Sequence, residues 1–191
     1  MNNNEIVYWN NFYKKDLVTL KPSDYAIFIY NYFNINMKNK NILDCGCGNG
    51  RDSYYLSNKY NVLGIDISNK PKYKNKNCKF KLADFCTYNK DNFDIIYSRF
   101  TFHSITNEKQ EEFIKSIKKN SYLCIETRSD KSYNIIKEHG DTHYRNYTNI
   151  DYLRRLLLNN NFEILYIKED NGFAVYKNED PVCIRLIAKK K

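Results

Sequence analysis

Residues 42–52 read Ile-Leu-Asp-Cys-Gly-Cys-Gly-Asn-Gly-Arg-Asp, and no other stretch limits the possible folds of this chain as much. A short apolar strand at 41–45 runs into a loop with glycines at 46, 48 and 50, and residues 51–59 can continue as a helix. Glycine lets a backbone turn sharply and come close to a ligand. The start of the helix offers N–H groups to an anion such as a carboxylate or phosphate. A second apolar strand, 61–67, carries Asp66, 22 positions after Asp44. An acid at that distance is placed to accept hydrogen bonds from a ribose diol. Strand, glycine loop, helix, strand and acid together predict a site for an adenosine-containing cofactor.

The rest of the chain alternates in the same way. Residues 5–20 place Tyr8, Trp9, Phe12, Tyr13 and Leu17 at helical spacing. After Lys21-Pro22-Ser23, either Ser23 or Asp24 can cap a second helix bearing Tyr25, Phe28, Ile29 and Phe33. Further strands are expected at 78–82, 93–98, 121–127, 162–168 and 182–189, with helices at 107–118 and 150–159. Alternation of this kind predicts an α/β fold, a parallel sheet covered by helices on both faces. The last two strands have no helix between them and should pair antiparallel. A single domain spanning 1–191 is expected, with 1–40 as a helical lid and 41–191 as the core.

The 191 residues suffice to bury a sizeable core, and no apolar run reaches membrane-spanning length. Residues 1–5 lack a signal-peptide pattern. The expectation is therefore a soluble, cytoplasmic protein, in the host cytoplasm if the source is a virus. The six cysteines are scattered; Cys45-x-Cys47 has no partners at zinc spacing, so no metal is expected and the thiols read as reduced. The net charge of +9 invites a nucleic-acid reading. The lysines are dispersed, however, and a chain rich in Lys, Asn, Ile and Tyr follows from AT-rich codons alone. The run Lys70, Lys72, Lys74, Lys76 reads as a solvated loop. The seven arginines say more, because an Arg amid abundant Lys hints at a need for its forked geometry. Arg51, Arg99, Arg128 and Arg145 all fall at expected strand ends or loops on one side of the sheet.

Asp44 standing before a G-x-G-x-G resembles the first motif of class I S-adenosylmethionine (SAM)-dependent methyltransferases, close to D-x-G-x-G-x-G. The resemblance implies a Rossmann-like, seven-stranded, mostly parallel sheet with an antiparallel final strand. It implies SAM as cofactor, held by Asp44, Cys45, Gly46, Gly48, Asn49, Arg51, Asp52, Asp66 and Ile67. Asp84-Phe85 resembles the acid and aromatic that meet adenine. Asp94-Ile-Ile-Tyr-Ser-Arg-Phe-Thr-Phe-His103 resembles the fourth motif of small-molecule methyltransferases, which puts Ser98 and Arg99 beside the cofactor. No Asn-Pro-Pro-Tyr or Asp-Pro-Pro-Tyr follows strand 4, and no Lys-Asp-Lys-Glu set is evident, which argues against DNA-base and RNA-ribose methylation. Trp9-Asn-Asn-Phe-Tyr13, Pro22-Ser-Asp-Tyr-Ala26, Asp91 to Ser104, Asp141-Thr-His-Tyr-Arg145 and Gly172-Phe-Ala-Val-Tyr-Lys-Asn-Glu-Asp-Pro181 are similar to small methyltransferases of surface-polysaccharide gene clusters in bacteria and large DNA viruses. Cys45 in place of Leu or Ile, and Thr142 in place of Gly, depart from that pattern.

The resemblance implies methyl transfer to a small acceptor. For a hydroxyl acceptor a base of near-neutral pKa helps, and His is the usual choice. Of the three histidines, His143 is expected as base, His103 as a positioning group, and His139 as solvent-facing. Glu126 is the third expected catalytic residue. Arg99, Arg128, Tyr144, Arg145, Tyr176 and Tyr13 are expected to bind an anionic acceptor, a nucleotide-linked sugar or glycan precursor. Trp9, Tyr13 and Tyr25 are candidate lid residues. Two alternatives remain open at this level: an RNA methyltransferase or SAM-fold binding module, and S-methylation or chalcogen detoxification.

Overall fold

The computed structural model describes residues 7–11, 21–33, 37–68, 71, 76–132 and 144–191. Strands β1 (Asn41–Cys45), β2 (Asn61–Asp66), β3 (Cys78–Leu82), β4 (Ile95–Arg99), β5 (Tyr122–Arg128), β6 (Phe162–Asp170) and β7 (Cys183–Lys190) form one sheet. Their order is β3-β2-β1-β4-β5-β7-β6. All neighbours pair parallel except β7, which runs antiparallel to both β5 and β6. This is the Rossmann-like, seven-stranded sheet that the sequence predicts. The strand order reverses direction at β1 and β4, and their carboxyl ends open the crevice in which ligands of such sheets bind.

Helices α1 (Asp24–Tyr32), α2 (Arg51–Leu56), α3 (Asn107–Lys115) and α4 (Ile150–Asn159) start at side-chain caps or at glycine. The Ser23 hydroxyl accepts the Ala26 N–H, Thr106 accepts from Lys109, and Asn149 accepts from Asp151 and Tyr152. Each cap satisfies donors that the first helical turn leaves over. Gly50 precedes α2 with a left-handed backbone. Several expected boundaries move, among them the end of α3, at Lys115 rather than 118. Helix α2 ends at Leu56 and continues as a turn, and β4 starts at Ile95 because Phe93 closes a turn onto the Lys90 carbonyl. Of the helix expected at 5–20, residues 7–11 are helical and the rest lies outside the described residues.

Period-2 alternation sorts the strand residues to two cores. Leu43, Ile96, Leu123, Ile125, Ile184 and Leu186 pack against Phe113 of α3 and Leu153 and Leu157 of α4. Ile42, Ile95, Tyr97, Cys124 and Ile187 pack against Tyr25, Ala26 and Ile29 of α1 and Leu56 of α2. Asp44, Arg99, Glu126, Arg128 and Arg185 share the parity of this second set. They continue the α1/α2 face past the cover of the helices, and that polar continuation is where the site forms.

Candidate functional site

The chain leaves β1 through Gly46, Gly48 and Gly50, all with positive φ (74°, 56° and 79°). The amides of Gly46 and Cys47 donate to the Ile65 carbonyl at 2.8 and 2.9 Å, and Gly48 N–H donates to Asp66 Oδ2 at 3.0 Å. Gly50 N–H donates to Cys47 O at 2.9 Å. These loop amides turn inward to β2 and to the loop itself. What glycine supplies is close approach. A Cβ on Gly46 would lie 2.0 Å from Cγ2 of Thr101. Thr101 is fixed there by its hydroxyl, 3.1 Å from the Cys45 carbonyl and 2.6 Å from Ser98 Oγ.

A cavity of about 390 Å³ lies among this loop, the start of α1, the end of β4 and the β6–β7 hairpin. The size suits a small ligand. Of the expected cofactor residues, Asp44, Gly46, Gly48, Asn49, Arg51 and Asp52 line it, as do Asp66, Ile67, Phe85 and Arg99. Cys45, Asp84 and Ser98 do not. Cys45 is fully buried in the α3/α4 core, because its strand parity turns it from the cavity. The Asp84 carboxylate accepts the Cys86 N–H at 2.9 Å and caps a local turn. Ser98 is buried behind Thr101. Phe85 serves both the wall and the core, edge-on to Phe113 at 5.7 Å between centroids.

Three carboxylates meet at the cofactor end, each in a different state. Asp66 accepts from Gly48 N–H and from the N–H and hydroxyl of Ser68. Asp52 accepts the Ser23 N–H and hydroxyl, both at 2.7 Å, and the Tyr97 hydroxyl at 2.8 Å. That knot ties the cap of α1 and the face of β4 to the glycine-loop helix. Asp44 accepts from Ser53 Oγ at 2.5 Å. Burial pushes the Asp44 carboxyl up to about 8, against the Ser53 hydrogen bond, with Asp52 and Asp66 adding to the rise. An unfolded Asp loses its proton near pH 4. Between about pH 4 and about pH 8 the folded state therefore holds a proton that the unfolded state has lost, and stability falls as pH rises across that window. Asp44→Asn keeps an acceptor for Ser53 and carries no titrating proton. Its urea midpoint should fall less between pH 5 and pH 8 than that of the parent protein; parallel pH profiles would refute this.

At the other end, arginines alternate with carboxylates across three strands. Arg99, Glu126 and Arg185 occupy one register row of β4, β5 and β7. Arg99 Nε donates to Glu126 Oε1 at 2.8 Å, and Arg185 Nε donates to Oε2 at 2.6 Å. Burial alone would ease the proton from Arg99, but Glu126 and then Asp52 outweigh it and hold the guanidinium charged. Arg128 pairs with Glu179 of the β6–β7 hairpin. The Arg99 and Arg128 guanidinium carbons lie 4.4 and 5.3 Å from the Phe100 ring centre. Phe100 itself has φ of 58°, a left-handed backbone that costs a non-glycine residue of order 1 kcal/mol or more and collects at functional sites. Three guanidiniums against two carboxylates leave one net positive charge in this cluster.

These contacts revise the expected catalytic set. Glu126 is fully buried and both its oxygens are taken by arginine, so it orients Arg99 and Arg185 and reaches no acceptor. His103 is buried outside the cavity wall, and its Nδ1 accepts the Arg128 N–H at 3.3 Å, with Thr127 Oγ1 at 3.2 Å. That bond assigns the neutral ring's proton to Nε2. His143, His139 and Tyr13 lie outside the described residues. Tyr144 is exposed, and neither it nor Arg145 lines the cavity, whereas Arg128 and Tyr176 do. Tyr25 is a core residue, its hydroxyl donating to Leu186 O at 2.9 Å; Trp9 lines the cavity. Tyr97, Phe100, Thr101, Phe173 and Arg185 were missed. Period-2 counting from Asp44 and Arg99 flags Tyr97 as same-face; the others needed the fold. Among the described residues no His, Cys, Asp and Glu cluster suits a metal, and no helix is long and apolar enough to cross a membrane.

Sheet order, the glycine loop and Asp66 at the end of β2 in the cavity wall suit a protein that binds a nucleoside cofactor. The chain belongs to the methyltransferase-domain family, whose profile matches residues 23–167. Three Schizosaccharomyces pombe proteins described as uncharacterized methyltransferases are each 32% identical to it over 105 residues, covering 49% of this chain and 70% of theirs. Among solved structures, a SAM-dependent methyltransferase from Methanosarcina mazei superposes with a TM-score of 0.68 at 20% identity, over 85% of this chain and 96% of that one. The Burkholderia thailandensis 1,6-didemethyltoxoflavin-N1-methyltransferase, with its acceptor and S-adenosylhomocysteine bound, gives 0.70 at 14% identity, over 98% and 87%. The protein is a SAM-dependent methyltransferase. The Gly46 cradle, the Asp66 carboxylate and the Phe85 ring along one cavity wall fit the cofactor's loop, ribose and adenine needs.

Proposed function

We propose that the enzyme O-methylates a small anionic acceptor, a nucleotide-linked sugar or glycan precursor. The observation that carries this reading is the pair of guanidiniums, Arg99 and Arg128, that the Arg99–Glu126–Arg185 and Arg128–Glu179 cluster presents in the cavity wall. Arg99 Nε is spent on Glu126, and its terminal nitrogens make no hydrogen bond among the described residues. The Arg99 side chain is 18% exposed, and its forked terminal nitrogens in the cavity wall suit a carboxylate or phosphate. When bound, SAM supplies a methyl already activated on sulfur, so the protein has to align the acceptor and take its proton. Arg99 and Arg128 hold the anion, the Phe100 and Tyr176 side chains flank it, and His143 takes the hydroxyl proton. Residues 1–40 serve as the lid, a role supported by Trp9, Pro22 and Ser23 in the cavity wall. The small-molecule acceptor named for the Burkholderia neighbour is consistent with this class. The cytoplasm, where SAM and nucleotide sugars meet, is the proposed location.

The direct test incubates the protein with methyl-labelled SAM and a panel of nucleotide sugars, with RNA as a parallel arm, and reads products by mass spectrometry. Label in a sugar supports the reading; label in RNA alone replaces it. Once an acceptor is found, His143→Ala should lower turnover by roughly a hundredfold while SAM affinity stays near that of the parent. Full activity in that variant would remove the base assignment.

A further inference from the structure

Glu179 is the one carboxylate that the β6–β7 hairpin places in the cavity wall, and it is only 2% exposed. Its Oε1 forms an ion pair with Arg128 Nη1 and makes no directed hydrogen bond among the described residues. A buried carboxylate ordinarily gathers several donors; Glu126, paired with Arg99 and Arg185, has two. Glu179 also sits near the tip of that hairpin. The hairpin is closed by the reciprocal Tyr176–Glu179 backbone pair and by Gly172 N–H donating to Asp180 Oδ1 at 2.7 Å. Gly172 has φ of 72° with open space where a Cβ would be, and Val175 is 62% exposed. The sheet end of the hairpin, by contrast, is pinned: Arg185 donates to Phe173 O at 2.9 Å and stacks on its ring at 4.4 Å.

We propose that Glu179 is a resident stand-in for the acceptor's anionic group: it pairs with Arg128 until an acceptor binds and is then exchanged for an oxyanion of the acceptor, swinging the 174–180 tip outward. The proposal rests on the anionic-acceptor reading and goes further by locating the anion on Arg128 and making the enzyme its own competitor. It also sets the charge. With Glu179 swung out, Arg99, Arg128 and Arg185 are balanced by Glu126 alone, so the site accommodates a dianion such as a pyrophosphate diester, where the paired site suits one negative charge at most. A neutral acceptor would gain nothing by the exchange, so the hairpin selects by charge.

The test uses the full chain loaded with S-adenosylhomocysteine and titrated calorimetrically with inorganic pyrophosphate and, separately, benzoate. Glu179→Gln should bind pyrophosphate at least about tenfold more tightly than the parent, because the internal competitor has lost its charge. Arg128→Lys should bind it more weakly than the parent, since a point charge replaces a fork. Hydrogen exchange at 174–180 should rise when pyrophosphate binds the parent and should start high in Glu179→Gln. Thermal midpoint and S-adenosylhomocysteine affinity near those of the parent certify that each variant is folded. Tighter benzoate but not pyrophosphate binding in Glu179→Gln would keep the exchange and make the acceptor a carboxylate. Equal anion affinity in parent and Glu179→Gln overturns the exchange and leaves the anionic reading standing. Failure of both anions to bind either protein overturns both.

Discussion

Glu126→Gln should cost the folded state about 3–5 kcal/mol, the usual result of stripping one partner from a buried charge network. The carboxylate is fully buried and serves Arg99 on one side and Arg185 on the other, across three adjacent strands. An amide can accept from one of them, carries no charge, and leaves two guanidiniums facing each other on the same row. Urea unfolding followed by circular dichroism reads the loss directly. A loss below about 1 kcal/mol would mean that the arginines are held mainly by Phe100 and Phe173, on whose rings they lie. Removing the second charge should return part of the stability, so Glu126→Gln with Arg185→Met should be more stable than Glu126→Gln alone. If the double variant is the weaker one, the coupling drawn here is wrong.

Gly46→Ala should abolish most of the methyl transfer, by on the order of a hundredfold for a wall shift of about 1 Å, and lower the thermal midpoint as well. Two costs combine. The backbone at φ 74° is unfavourable for alanine. The added methyl also falls 2.0 Å from Thr101 Cγ2, and Thr101 cannot rotate away without releasing the Cys45 carbonyl and Ser98. Calorimetry with S-adenosylhomocysteine and a midpoint measurement would follow both. Thr101→Ser deletes the clashing carbon and retains the hydroxyl. The pair Gly46→Ala with Thr101→Ser should recover part of the binding. No recovery would place the cost in the backbone alone.

How much of this could be read from the sequence divides by the range of the interactions. The glycine loop, Asp66 and the Ser23 cap are local: a strand, a turn and a helix start within a few residues specify them, and β1, β3 and α4 lie where the sequence put them. The class and its cofactor followed from that local order. The arginine ladder is not local. Arg99, Glu126 and Arg185 are far apart in sequence, and their common row exists only because β7 inserts beside β5. Glu126 therefore read as a catalytic residue, one that orients a base or accepts from an acceptor hydroxyl, when its strand neighbours Arg99 and Arg185 could not be known. Cys45 failed for a simpler reason: a loop motif was read as if every member faced the ligand, although alternation on β1 turns residue 45 away from residue 44. His103 looked like chemistry by its place after β4; the turn at Phe102–Ser104 buries it against Thr127 and the Arg128 amide.

The insertion of β7 has a consequence for how this enzyme comes into being during synthesis. Strands β1 to β4 can pair as soon as they leave the ribosome, since they neighbour one another in the sheet. Strand β5 can add to β4, but its other edge and the whole of β6 wait for β7, which is translated after all the others and lies between them. The glycine-loop end of the cavity can thus form early, while Arg185 arrives last and completes the arginine cluster. Until then Glu126 faces one arginine rather than two, and the edge of β5 is unpaired. A nascent chain stalled before Cys183 should bind S-adenosylhomocysteine yet methylate nothing, and its open β5 edge is the place where a chaperone or a second nascent chain would attach.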